Sequence, residues 1–184
     1  MGPFIPSITL TNLNKMTRTL FNKTIICEAW PDVAGKLGKA MTSRGRLVKV
    51  WKANPDNSLC YKYFCHGFAL DTYRRFGYSV LSGKDILAAL EDYYVEIGAG
   101  QTPSNIMKLL IAGDIVSFSN LEHGIIHTAV VIYVPRSLAR PAENALNNIK
   151  VNSKNGINLE CVQYLSSVRC IYSYAPLMRF WRAR

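Results

Sequence analysis

The chain has 184 residues and a formal charge of +10, from 22 Lys and Arg against 12 Asp and Glu. Hydrophobic residues make up 49% and charged residues 18%; that balance excludes wholesale disorder, and the length fits one compact unit. No apolar run approaches the ~18 residues of a membrane-spanning helix, and the positive excess points to an anionic partner without choosing among nucleic acid, an acidic membrane and an anionic envelope polymer.

The first residues, Met-Gly-Pro-Phe-Ile-Pro-Ser, lack a basic segment followed by a long apolar core and a small-residue cleavage site. No secretory signal is expected, so the protein is read as cytoplasmic when made, with secretion or injection only by a signal-independent route. Residues 1–24 are rich in Pro, Thr and Asn and read as an irregular lead-in. Residues 35–52 carry Lys36, Lys39, Arg44, Arg46, Lys49 and Lys52, the most basic stretch, with a short strand over Leu47–Trp51. The expected organisation is an N-terminal arm and basic extension over 1–50, then a domain over 51–184.

Asn54–Ser58 is a turn. After it, Tyr61, Phe64, Cys65, Phe68, Ala69, Tyr73 and Phe76 follow helical spacing, with Gly77 as C-terminal cap. Ser82-Gly83-Lys84-Asp85 resembles a capping box, and Ile86, Leu87, Leu90, Tyr93, Tyr94 and Ile97 predict a second helix ending at Gly98. Ala112–Phe118 reads as a turn into a strand. His127–Val134 is the strongest strand, β-branched and buried on both faces. A polar connection over 135–148 leads to an alternating strand, Ile149–Asn155. Cys161–Val168 and Cys170–Tyr174 are the last expected strands, before a basic aromatic tail, Met178–Arg184. Helices followed by an antiparallel sheet make an α+β layout.

The five cysteines are Cys27, Cys60, Cys65, Cys161 and Cys170. An odd count at irregular spacing does not describe a disulfide framework. Cys65 is the candidate nucleophile: it stands beside His66 at a helix start, with His127 heading the main strand. A thiol attacks as thiolate, which a nearby imidazolium and a helix N-terminus both favour. The alternative is a small core residue on an apolar helix face. Gly67 would leave room for a substrate at the helix end.

Cys65-His66-Gly67-Phe68 resembles the Cys-Ser-Gly-Phe that opens the catalytic helix of NlpC-like papain-fold amidases. Leu110–Phe118 resembles that family's Leu-x-Pro-Gly-Asp-Leu-Val-Phe-Phe strand, with Ala112 in place of Pro. His127–Ile132 resembles the strand carrying its catalytic His, and is closer still to the His-Val-Ala-Val-Val of the related CHAP amidases. Val151-Asn152-Ser153-Lys154-Asn155 fills the place of the CHAP Val-x-Glu-x-Asn strand, with Ser153 where Glu would be. The resemblance spans about residues 57–156. Phe64 stands where an acidic residue is usual.

The resemblance implies a papain-like fold, a catalytic helix packed on an antiparallel sheet, and cysteine-dependent amide hydrolysis without a cofactor. Cys65 would be the nucleophile and His127 the general base and acid. Asn155 would orient His127, with Ser153 as the alternative. The Cys65 backbone N–H would be one oxyanion donor, and Asn57 or Tyr63 a second. A peptidoglycan peptide is the first expected substrate. An injected toxin or effector acting on a target protein as protease, deamidase or acyltransferase is the alternative, with an inhibitor or immunity protein as a partner. The mechanism needs the helix to start within a few residues of Cys65, with Ser58–Tyr63 as loop. His123, beside Gly124, is expected at the rim. His66 is adjacent in sequence but would point about 100° away on a helix.

Two non-enzymatic readings use the same residues. Cys60, Cys65, His123 and His127 supply enough ligands for a zinc site. The basic stretch with Trp51 and the Arg-rich tail would suit nucleic acid, with no motif beyond charge.

Overall fold

A computed structural model describes residues 23–25, 35–54, 63–81, 83–135, 145–156 and 158–184. The strands are β1 (Lys23–Ile25), β2 (Gly35–Met41), β3 (Leu47–Ala53), β4 (Ser79–Val80), β5 (Tyr94–Ile97), β6 (Ile115–Asn120), β7 (Gly124–Tyr133), β8 (Lys150–Lys154), β9 (Glu160–Tyr164) and β10 (Leu177–Ala183). The helices are α1 (Cys65–Ala69), α2 (Thr72–Phe76), α3 (Gly83–Tyr93), α4 (Pro103–Leu109) and α5 (Leu165–Ile171), with a 3-10 turn at Leu146–Asn148. The class is α+β. Both sheets are antiparallel: β1-β2-β3-β4, and a six-stranded sheet in the order β5-β10-β6-β7-β8-β9.

β7 is the run of β-branched residues expected to be buried on both faces, and His127 to Val131 are all buried. Its two faces seed two cores. On one side Ile125 and Val130 pack with Val48 and Val50 of β3, Leu70, Val80, and Ile86 and Leu90 of α3. On the other, Ala129 and Val131 pack with Phe118, Val151, Leu110, Leu165, Val168 and Phe180. Each large apolar side chain buried this way stabilises the fold by roughly 1.5–3 kcal/mol. The expected division at residue 50 falls inside β3, whose Val48 and Val50 belong to the first core. The described residues of β2 and β3, on the N-terminal side of that division, are therefore built into the fold.

Four predicted elements differ. The helix expected through Phe76 is broken after Ala69: Asp71 takes a left-handed conformation with φ 55°, and α2 starts behind it. Asp tolerates this better than most residues, and its carboxylate accepts from Arg75 Nε at 2.9 Å. Gly77 caps α2 as expected, with φ 72°. The second helix ends at Tyr93, because Tyr94–Ile97 pair with β10. Residues 165–171 are helical, with Leu165 and Val168 placing one buried face at helical spacing. The basic tail is β10, which lies between β5 and β6; its Trp181 Nε1–H donates to Ser117 Oγ at 2.8 Å. Helix α4, capped by the Thr102 hydroxyl, was not expected from the apolar pattern. Ser82 of the capping box lies outside the described residues.

Charge ties the first sheet to α3. Arg46 donates to Asp92, Glu91 and the Ala88 carbonyl. Asp114, 1% exposed, accepts from Arg182 Nε at 2.9 Å and Nη2 at 2.8 Å, and from the Ile111 N–H at 2.8 Å. In the basic stretch Lys39 and Lys49 stand directly opposite on adjacent strands, both exposed. Among the described residues no helix is long and apolar enough to cross a membrane.

Candidate functional site

Helix α1 starts at Cys65, with Tyr63 and Phe64 non-helical before it. This places the thiol in the first helical turn, as the nucleophile reading requires; residues 58–62 lie outside the described set. Gly67 has a different use from the expected one. A Cβ there would stand 2.1 Å from Ser79 Oγ and 2.8 Å from Ser79 Cβ, so its bare backbone lets α1 lie against β4. The Phe64 N–H donates to the same hydroxyl at 3.4 Å. Helix α1 also packs on β7 and β8.

Through that packing the backbone N–H groups of Thr128, His66 and Cys65 itself favour the thiolate form of Cys65. Thr128 follows His127 in β7. Its own hydroxyl lies 3.0 Å from His66 Nδ1, so His66 is a buried partner of Thr128 on the flank away from the His127 ring.

His127 is 0% exposed. Its Nε2 lies 2.8 Å from Ser153 Oγ, and the Ser153 hydroxyl donates to Asn155 Oδ1 at 2.9 Å. The direction of this chain fixes a tautomer. Ser153 has one proton and gives it to a carbonyl oxygen, so it accepts from His127 Nε2–H. Nδ1 then holds the lone pair, and it is buried with no hydrogen-bond partner among the described residues. The sequence ranks Asn155 first and Ser153 second as the orienting residue. Here it is Ser153 that touches the ring, and Asn155 meets it only through the Ser153 hydroxyl. Ser153 lies in β8 and Asn155 one residue beyond its end, two residues on and so on the same side of the chain.

The electrostatics describe a neutral resting site. Burial pushes the Cys65 thiol up to about 11, more than the three N–H groups and the charge of Lys154 pull it down. Burial, with His66 adding to it, pushes His127 down to about 3, and burial alone takes His66 to about 4. A resting thiolate favoured by the helix start is therefore not what this environment gives, because desolvation of the charged form outweighs the dipoles. The thiol and imidazole are also not hydrogen-bonded to each other, since Nδ1 has no partner.

Around this centre lie groups without a sequence motif. Tyr172 stacks on His127 with ring centroids 4.1 Å apart and planes 11° from parallel. Lys154 is buried, donating to the carbonyls of Gly156 and Asn158, with its ammonium 5.0 Å from the Tyr63 ring. Tyr63, an expected oxyanion donor, instead gives its hydroxyl to Glu160 and stacks on Tyr73. Asn57, the other expected donor, lies outside the described residues.

The zinc constellation does not assemble among the described residues. His123 is exposed beside Glu122, whereas Cys65 and His127 are buried; Cys60 lies outside the described set. No three of His, Cys, Asp and Glu gather around an ion-sized site there. Cys161 and Cys170 are both unpaired and exposed, neither bridged nor in the core.

Comparison with models of known families, with curated protein sequences and with solved structures yields no match.

Proposed function

We propose that the protein is a cysteine-dependent amide hydrolase of papain-like type, with Cys65 as nucleophile, His127 as base and acid, and the Ser153–Asn155 pair holding the imidazole. The observation that carries this reading is the ordered chain Asn155–Ser153–His127, which leaves a lone pair on a buried nitrogen that no described residue uses. A structural histidine in a core would be expected to satisfy both nitrogens.

The neutral resting state sets the mechanism. Nδ1 would take the thiol proton as Sγ attacks the amide carbonyl, rather than meeting a preformed thiolate. The imidazolium then returns that proton to the leaving amine, and the acyl group stays on sulfur. Water, deprotonated at the same nitrogen, releases the acid and restores the thiol. The Cys65 N–H would face the developing oxyanion, an interaction worth about 10²–10³ in rate.

The resemblance to cell-wall amidases and the charge of +10 make a peptidoglycan stem peptide the first substrate. The test is incubation with purified muropeptides, read by mass spectrometry. Stem cleavage that disappears in Cys65→Ala supports the reading. Intact muropeptides, together with no acylation of Cys65 by an activated ester, would refute it; acylation without stem cleavage moves the substrate to a target protein.

A further inference from the structure

Cys65 is 7% and His127 0% exposed, so a carbonyl cannot reach them as the site stands. One side chain covers the imidazole: the Tyr172 ring lies flat on His127 with centroids 4.1 Å apart. Tyr172 ends α5, in a turn whose backbone is held by Tyr172 N–H to Val168 O at 3.0 Å and Ala175 N–H to Tyr172 O at 2.9 Å. The backbone can therefore stay fixed while the ring rotates about Cα–Cβ. It also has somewhere to go. Tyr172 also forms part of the wall of a cavity of about 480 Å³, open to solvent, lined also by Phe118, Ser166, Arg169 and Met178. Phe118 itself approaches the His127 ring at 5.9 Å.

We infer that Tyr172 is the gate of the Cys65–His127 site: its ring occupies the ground the substrate must take, and substrate enters through the adjoining cavity as the ring rotates away. This rests on the assignment of Cys65 and His127 proposed above. Tyr172 is a positioning residue here, not a catalytic one. In the closed state it lies on the face of the imidazole and holds its plane.

The test is the rate at which iodoacetamide alkylates Cys65 in the folded protein, mapped by mass spectrometry, with exposed Cys161 as internal reference. Tyr172→Ala is expected to raise the Cys65 rate at least tenfold without changing that of Cys161, and to admit the bulkier N-ethylmaleimide. Tyr172→Phe keeps the ring and is expected to stay within about twofold of wild type. Ser166→Trp, an exposed substitution that fills the cavity, is expected to slow Cys65 several-fold at an unchanged urea midpoint. An unchanged rate in both Tyr172→Ala and Ser166→Trp, or an equal rise in Tyr172→Phe and Tyr172→Ala, overturns the gate. The His127→Ala arm separates this from the catalytic assignment. A gate without a base gives fast alkylation in Tyr172→Ala that does not depend on His127, and a base without a gate gives the reverse.

Discussion

Two of the three histidines are held neutral in the interior, and this makes the fold acid-labile in a particular window. His66 falls from 6.5 to about 4 and His127 from 6.5 to about 3. Between those values and 6.5 the unfolded chain binds protons that the folded chain refuses. Stability is therefore complete above about pH 7 and is lost as pH falls through 6.5 toward 4. At pH 5, 1.5 units below the unfolded value, each histidine costs about 2 kcal/mol at about 1.4 kcal/mol per unit, or roughly 4 kcal/mol together. Marginal stabilities of about 5–15 kcal/mol make that a large fraction. Asp92 does not contaminate the window. Burial raises its carboxyl, the hydrogen bonds and charge of Arg46 outweigh burial, and the net depression acts only below its ordinary 3.8. The assay is urea unfolding at pH 8 and pH 5, in wild type and His66→Gln. The variant should lose about half of the pH dependence. A wild-type difference under about 1 kcal/mol would refute the buried neutral histidines.

Other perturbations probe the supports of the site. Gly67→Ala drives a Cβ into Ser79 and should destabilise by about 1–3 kcal/mol, read as a melting-point drop of about 2–4 °C per kcal/mol in a chain this long. Ser153→Ala leaves the His127 Nε2–H unpaired; it should cost about 1–3 kcal/mol in urea and slow acyl transfer on the order of 10²-fold, with Asn155→Ala milder because it acts through Ser153. Asp92→Asn breaks a charged pair at a side chain 1% exposed and should lower unfolding free energy at pH 7 by about 1.5–3 kcal/mol, a difference that shrinks as wild type is acidified below 3.8.

What the sequence made legible follows from how locally each feature is specified. β7 was readable because consecutive β-branched residues leave no polar face. Gly77 was readable because a left-handed cap needs its type of residue. The break at Asp71 was hidden, since Tyr73 and Phe76 continue the apolar spacing across it. The place of Met178–Arg184 between two strands was hidden because pairing partners 60 or more residues away decide it. The gate residue carried no signal either: Tyr172 meets His127 only through the packing of α5 on the sheet. The neutral thiol was misjudged for a related reason. A helix start is visible in sequence, while the burial that outweighs it is a property of the assembled layers.

The most direct test is the alkylation rate of Cys65 at pH 7 in wild type and His127→Ala, both carrying Tyr172→Ala so that access is equal. If Nδ1 accepts the thiol proton, removing the imidazole slows alkylation at least tenfold, although the substitution opens space beside the sulfur. An equal or faster rate without His127 would contradict the nucleophile–base pair and leave Cys65 a core residue.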